Sequence, residues 1–82
     1  MILKPKGAAV NIQTAASALS NATLVSVVNT NTTAALIENS NGNEVYLAAG
    51  ERVLIEKEPA ETLEATTGAT AAVWATSVAF RN

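Results

Sequence analysis

Hydrophobic and polar residues alternate most clearly between Glu44 and Glu58, EVYLAAGERVLIEKE. Val45 and Leu47 alternate with Glu44 and Tyr46; Val53 and Ile55 alternate with Arg52, Leu54 and Glu56. Period-two alternation rich in β-branched residues predicts two strands. Between them, Ala48-Ala49-Gly50 predicts a three-residue hairpin loop closed by a left-handed glycine, which has no Cβ to clash at positive φ. That loop would pair Leu47 with Glu51 and Val45 with Val53, and put Val45, Leu47, Val53 and Ile55 on one face. Upstream, Asn41-Gly42 predicts a two-residue type I′ turn. It would set Leu36 opposite Leu47 and Ile37 opposite Tyr46. Residues 33 to 58 are thus expected to form a three-stranded meander. One face would carry Leu36, Val45, Leu47, Val53 and Ile55. The other would carry Ile37, Tyr46 and Leu54 among polar neighbours, more apolar than a wetted sheet face requires.

The same patterning assigns the rest of the chain. Residues 1–7, MILKPKG, are expected as an N-terminal arm, because Pro5 and Gly7 discourage regular structure. Such an arm either frays or docks on a neighbouring subunit. Residues 8–82 then form a single β domain. Val10 and Ile12 mark a first strand over 8–14; residues 15–22, AASALSNA, read as a loop or one helical turn. TLVSVVNT, 23–30, is a strand covered on both sides, with Val25 and Val27 on one face and Leu24, Ser26 and Val28 on the other. NTNTT, 29–33, is a polar turn. Pro59 ends the meander, and 59–69 is an irregular connection around Leu63, punctuated by Gly68. In 69–82, Trp74, Thr76, Val78 and Phe80 share one face and Val73, Ala75, Ser77 and Ala79 the other. The fold class is therefore all-β, a small β-sandwich or barrel of about six or seven short antiparallel strands.

Composition changes this picture in one respect, the means of stabilisation. An 82-residue chain forms one small domain, and domains of about this size are marginal alone. Much of the apolar fraction of 49% is alanine, and aromatics are only 4%, so the core is light. With no cysteine and no histidine, neither disulfides nor a structural zinc site can reinforce it. Oligomerisation is the remaining common device.

Charge and residue type then narrow the chemistry. A net charge of −2 lacks the basic face that nucleic acid requires. No apolar run approaches the roughly 20 residues of a membrane-spanning helix. MILKPKG is not followed by an apolar h-region, so no secretory signal is expected and the chain is expected to be made in a cytosol; the Asn21 and Asn31 sequons then have no glycosylation role. All the acids are glutamates, which argues against an EF-hand loop. Serines and threonines have no histidine base, and no lysine is placed beside one. Glu56 and Glu58 are the right residue type for glycoside chemistry, but they read as the solvated charges of a Glu-Lys-Glu edge. The glycines are isolated, so no phosphate loop is expected. Tyr46, Trp74 and Phe80 lack basic interleaving and form no platform for single strands. No enzymatic activity, no cofactor and no metal are expected.

Two stretches, NATLVSVVN at 21–29 and IEKEPAETLE at 55–64, resemble small structural proteins of tailed bacteriophages, notably marine cyanophages. The matching positions are Asn21, Leu24, Val25, Val27, Val28 and Asn29, then Ile55, Glu56, Lys57, Thr62, Leu63 and Glu64. The likeness covers roughly residues 21–80, and its motifs are structural; the N-terminal segment departs from the pattern. What the resemblance implies is a virion component made in the host cytoplasm. It would be a head decoration (cement) protein, often a trimer, that binds the major capsid protein and stabilises the shell. Alternatives are a tail, neck or fibre-associated module, or a small carbohydrate- or protein-binding β-sandwich. Interface candidates are Ile2 and Leu3 of the arm, Ile37, Tyr46 and Leu54 of the second sheet face, and the aromatics Trp74 and Phe80.

Overall fold

A computed structural model describes residues 2–13, 15–67 and 71–81, without the side chains of Ile2, Thr67, Phe80 and Arg81. Eight strands follow one another: β1 (Ile2–Pro5), β2 (Val10–Asn11), β3 (Leu24–Asn29), β4 (Ala35–Asn39), β5 (Glu44–Leu47), β6 (Arg52–Glu56), β7 (Leu63–Thr67) and β8 (Val73–Arg81). They form two antiparallel sheets, which makes the protein all-β and consistent with a small β-sandwich. The larger sheet runs β1-β8-β3-β6, with β2 also paired to β8; the smaller runs β5-β4-β7.

β3 is an interior strand, as its near-continuous apolar run predicts. Val25 and Val27 point inward and are fully buried, and Ser26 on the opposite face is nearly so. β3 pairs with β6 on one side, Val25 opposite Ile55 and Val27 opposite Val53. On the other side it pairs with β8, Val27 opposite Ala75 and Asn29 opposite Val73. The smaller sheet contributes Ala35, Ile37, Leu47, Leu63 and Ala65 to the same core, with Ile12 and Leu19 joining from loops. Both sheets place small residues in this core, Ala35 and Ala65 from one and Ala75 from the other. Each fully buried valine or isoleucine is worth roughly 1.5–3 kcal/mol of burial.

Several expectations are overturned. β5 and β6 do not pair: they belong to different sheets, so 48–51 is a corner and residues 33–58 are not a meander. The turn after β4 holds three residues. Asn39 pairs with Asn43 through its N–H (3.0 Å), and the Gly42 N–H returns to the Asn39 carbonyl (3.0 Å). Only Gly42 of this turn has positive φ (85°). The register therefore slips by one, to Ala35–Leu47, Leu36–Tyr46 and Ile37–Val45, and a one-residue slip exchanges the faces. Ile37 is consequently a core residue, 2% exposed, not an interface residue; Leu36 takes the outer face beside Tyr46.

The segment expected as an arm, 1–7, is not one over its described residues. Ile2–Pro5 pairs with β8, Leu3 opposite Phe80 and Pro5 opposite Val78. The first strand shrinks to Val10–Asn11. The connection at 59–69 contains β7, which pairs with β4, while Gly68 lies outside the described residues. Residues 15–22 form a loop that makes one left-handed turn at Leu19, Ser20 and Asn21 (φ 55°, 57° and 60°). Left-handed backbone costs about 1–2 kcal/mol per non-glycine residue. Here the turn drives Leu19 into the core, 4% exposed.

A buried polar network holds the corner. The Asn29 side-chain amide donates to the carbonyls of Thr33 (3.0 Å), Leu47 (3.0 Å) and Ala48 (3.2 Å). Its Oδ1 accepts from the Asn31 N–H (2.9 Å) and side-chain amide (2.8 Å). The Asn29 main chain also accepts from the Gly50 N–H and donates to the Glu51 carbonyl, both at 2.9 Å. Asn31 in turn bonds the Ala71 backbone in both directions. The "polar turn" at 29–33 is thus buried at both asparagines, 0% and 6% exposed.

Candidate interaction surface

The register sorts the interface candidates onto two separate faces. Outward on the larger sheet stand Leu3 and Pro5 of β1, Trp74, Thr76 and Val78 of β8, Leu24, Ser26 and Val28 of β3, and Arg52, Leu54 and Glu56 of β6. Trp74 is 39% and Leu54 42% exposed. Trp74 therefore faces out, while its small neighbours Val73 and Ala75 are fully buried. Between the strands lies a depression of about 200 Å³ lined by Leu3, Pro5, Ser26, Arg52, Thr76 and Val78. The Arg52 guanidinium crosses it towards the Ser26 hydroxyl (3.4 Å).

Tyr46 is on the outer face of the smaller sheet, 67% exposed and opposite Leu36. It shares no face with Trp74, so the two aromatics do not build one stacking platform. The main chains of Ile2 and Phe80 lie on β1 and β8, but their side chains lie outside the described residues. Of the seven candidates, the structure sets Leu3, Leu54 and Trp74 apart from one another on one sheet face, removes Ile37 to the core and isolates Tyr46.

The two sheets gape on the side where β5 and β6 run as unpaired neighbours. Val45 shares the inward face with Ile37 and Leu47, yet it is 45% exposed. A gap of about 190 Å³ opens there, lined by Ile37, Asn39, Asn43, Glu44, Val45, Ile55 and Leu63. Sequence reasoning missed this gap because it assumed that β6 covered β5.

The charged end of β6 also differs from expectation. Glu56 and Glu58 are exposed, but Lys57 between them is 6% exposed and is not a solvated edge charge. Its ammonium donates to the carbonyls of Glu58 and Pro59, both at 3.2 Å. Burial lowers its pKa below the ordinary lysine value, and the nearby Glu61 carboxylate partly opposes that shift. Glu61 in turn accepts from the Asn41 side-chain amide and the Glu58 N–H, which pins the β4–β5 turn to the loop after β6. No group of three or more His, Cys, Asp or Glu residues among the described residues could hold a metal ion.

No family model, no curated protein and no solved structure matches this chain.

Proposed function

We propose that this protein is a non-enzymatic structural tile of a phage particle, a decoration protein that docks on the head and stabilises its shell. The observation that carries the reading is the outer face of the larger sheet. Trp74 and Leu54 are exposed on it, and a depression lined by Leu3, Pro5, Ser26, Arg52, Thr76 and Val78 lies on the same face. A face that presents an exposed aromatic and an exposed leucine among polar side chains suits contact with another protein surface. The phage-like stretches support the same reading: 21–29 contains β3, and 55–64 joins its neighbour β6 to β7. Summed over many copies on one shell, modest individual contacts give firm attachment.

The reading is tested by mixing the purified protein with empty phage heads and measuring the bound fraction after sedimentation. Wild-type protein and Tyr46→Ser are expected on the heads. Trp74→Ser is expected to bind at least about tenfold more weakly, as loss of a central aromatic contact predicts, with its far-UV spectrum unchanged. Wild-type protein left wholly in the supernatant would sink the proposal.

A further inference from the structure

Among the described residues β1, β2, β5, β6 and β7 lie at sheet edges, and β6 offers the best surface for pairing, β2 being only two residues long. β1 carries Lys4 and Pro5, and a charge and a missing N–H blunt an edge. β7 is already engaged by Ile12 and Ser17: Ser17 and Leu63 exchange N–H···O bonds (3.1 and 2.9 Å), and the Ala65 N–H reaches the Ile12 carbonyl (3.0 Å). β5 is four residues long and has no cation to set opposite Glu44. β6 remains, with five residues, no proline and no bulge.

Its sequence is self-complementary. In the run Glu51-Arg52-Val53-Leu54-Ile55-Glu56-Lys57, charge reverses about Leu54. Laid antiparallel on itself with Leu54 at the centre, β6 sets Arg52 of each copy against Glu56 of the other. Val53 meets Ile55 in the same register. The backbone has the matching phase. Hydrogen bonds from Lys57 to Thr23 and from Asn29 to Glu51 show that the odd-numbered residues of β6 turn their N–H and C=O groups towards β3. Those of Arg52, Leu54 and Glu56 therefore turn outward. These are the three positions that the Leu54-centred register pairs.

We infer that β6 is a homodimer edge, on which a second copy adds its own β6 antiparallel about a two-fold axis at Leu54 to make one continuous sheet. The axis makes each Arg52–Glu56 pair occur twice, as an isologous contact demands. The added strand brings a second Val53 and Ile55 to the inward side of the sheet, next to the gap where Val45 and Ile55 are left part-exposed. Pairing over five residues is a small interface, so the association is reversible at micromolar concentrations. The inference does not depend on the capsid reading.

Sedimentation velocity across a dilution series tests it. Wild type is expected to pass from monomer to dimer. Arg52→Glu and Glu56→Arg alter exposed side chains and set like charges opposite one another twice per interface, so each alone should weaken dimerisation at least about tenfold. The two single variants carry complementary strands, so an equimolar mixture should form a heterodimer. The double variant R52E/E56R should dimerise within about threefold of wild type, because the reversal is symmetric. A wild type that stays monomeric, a closed trimer, single variants that dimerise unchanged, or a double variant as weak as the singles would each overturn the inference.

Discussion

Two turns in this molecule share their sequence signals and differ in what they join. The 39–43 turn and the 48–51 corner each follow an alternating strand, and each contains a glycine at positive φ, Gly42 at 85° and Gly50 at 74°. Each is also organised by an asparagine. Asn39 accepts from the N–H groups of Asn41 and Asn43, both at 3.0 Å, so its bonds stay inside the turn and the result is a hairpin. Asn29 reaches 18 and 19 residues along the chain to the carbonyls of Leu47 and Ala48. It ties the corner to the end of β3, and the chain leaves the corner as a partner of β3 instead of β5. Local turn chemistry decides that the chain bends; a distant buried amide decides which strand it then meets.

The comparison is broken most severely by Asn29→Ala. The corner would lose its tie, and buried carbonyls would lose their donor, a loss of about 3 kcal/mol. The corresponding Asn39→Ala should cost no more than about 1 kcal/mol, because its freed N–H groups are open to water. Urea titration of both variants measures the contrast, and equal losses would show that the corner is held by something else. Next in size, Gly42→Ala and Gly50→Ala should each cost about 1 kcal/mol. An added Cβ meets nothing within 4 Å at either site, so only the backbone conformation is penalised and the two losses should agree. A markedly larger loss at Gly50 would mean that the corner transmits strain into both sheets.

The smallest effect belongs to Lys57, just beyond β6. Its folded pKa lies below its unfolded value because burial disfavours the charge. At neutral pH the residue is charged in both states and the desolvation cost is present in full. As pH climbs through the lowered folded value towards 10.5, the folded state sheds the proton first and gains stability. The stability of wild type relative to Lys57→Met should therefore rise slightly as pH is taken from neutral up to the unfolded value of 10.5. A flat or falling difference would contradict the burial of the ammonium.

What could be read in the sequence was whatever depends on near neighbours. The continuous apolar run of β3, the bends at Gly42 and Gly50, and the division of β8 into a large-residue and a small-residue face all hold. What could not be read was partnership. Alternation in Arg52–Glu56 is the same whether the strand pairs with β5 or with β3. The slip at Asn41-Gly42 turns on whether one residue or two adopt positive φ, and Asn-Gly permits both. That single difference moved Ile37 from candidate interface to core and Leu36 the other way. For β8 the two faces were right but their sense was open. Val73 and Ala75 face inward and join Ala35 and Ala65 in one core, and Trp74 is left outside. In the candidate surface, Leu3, Leu54 and Trp74 could be named from residue type, but their sharing one face depends on β1, β8 and β6 belonging to one sheet in this register.

The placement of β8 has a consequence for how the molecule is made. β1, β2 and β3 all pair with this strand, although it comes after every one of them in the chain. While the ribosome is still adding residues before Val73, β1 and β2 have no edge to join and β3 lacks one of its two neighbours. The β4–β5 hairpin can close early, but most of the larger sheet must wait. Folding therefore completes after synthesis of this region, with long-range closure as its slow step, and any truncation within 73–81 should undo the opposite end of the domain as well.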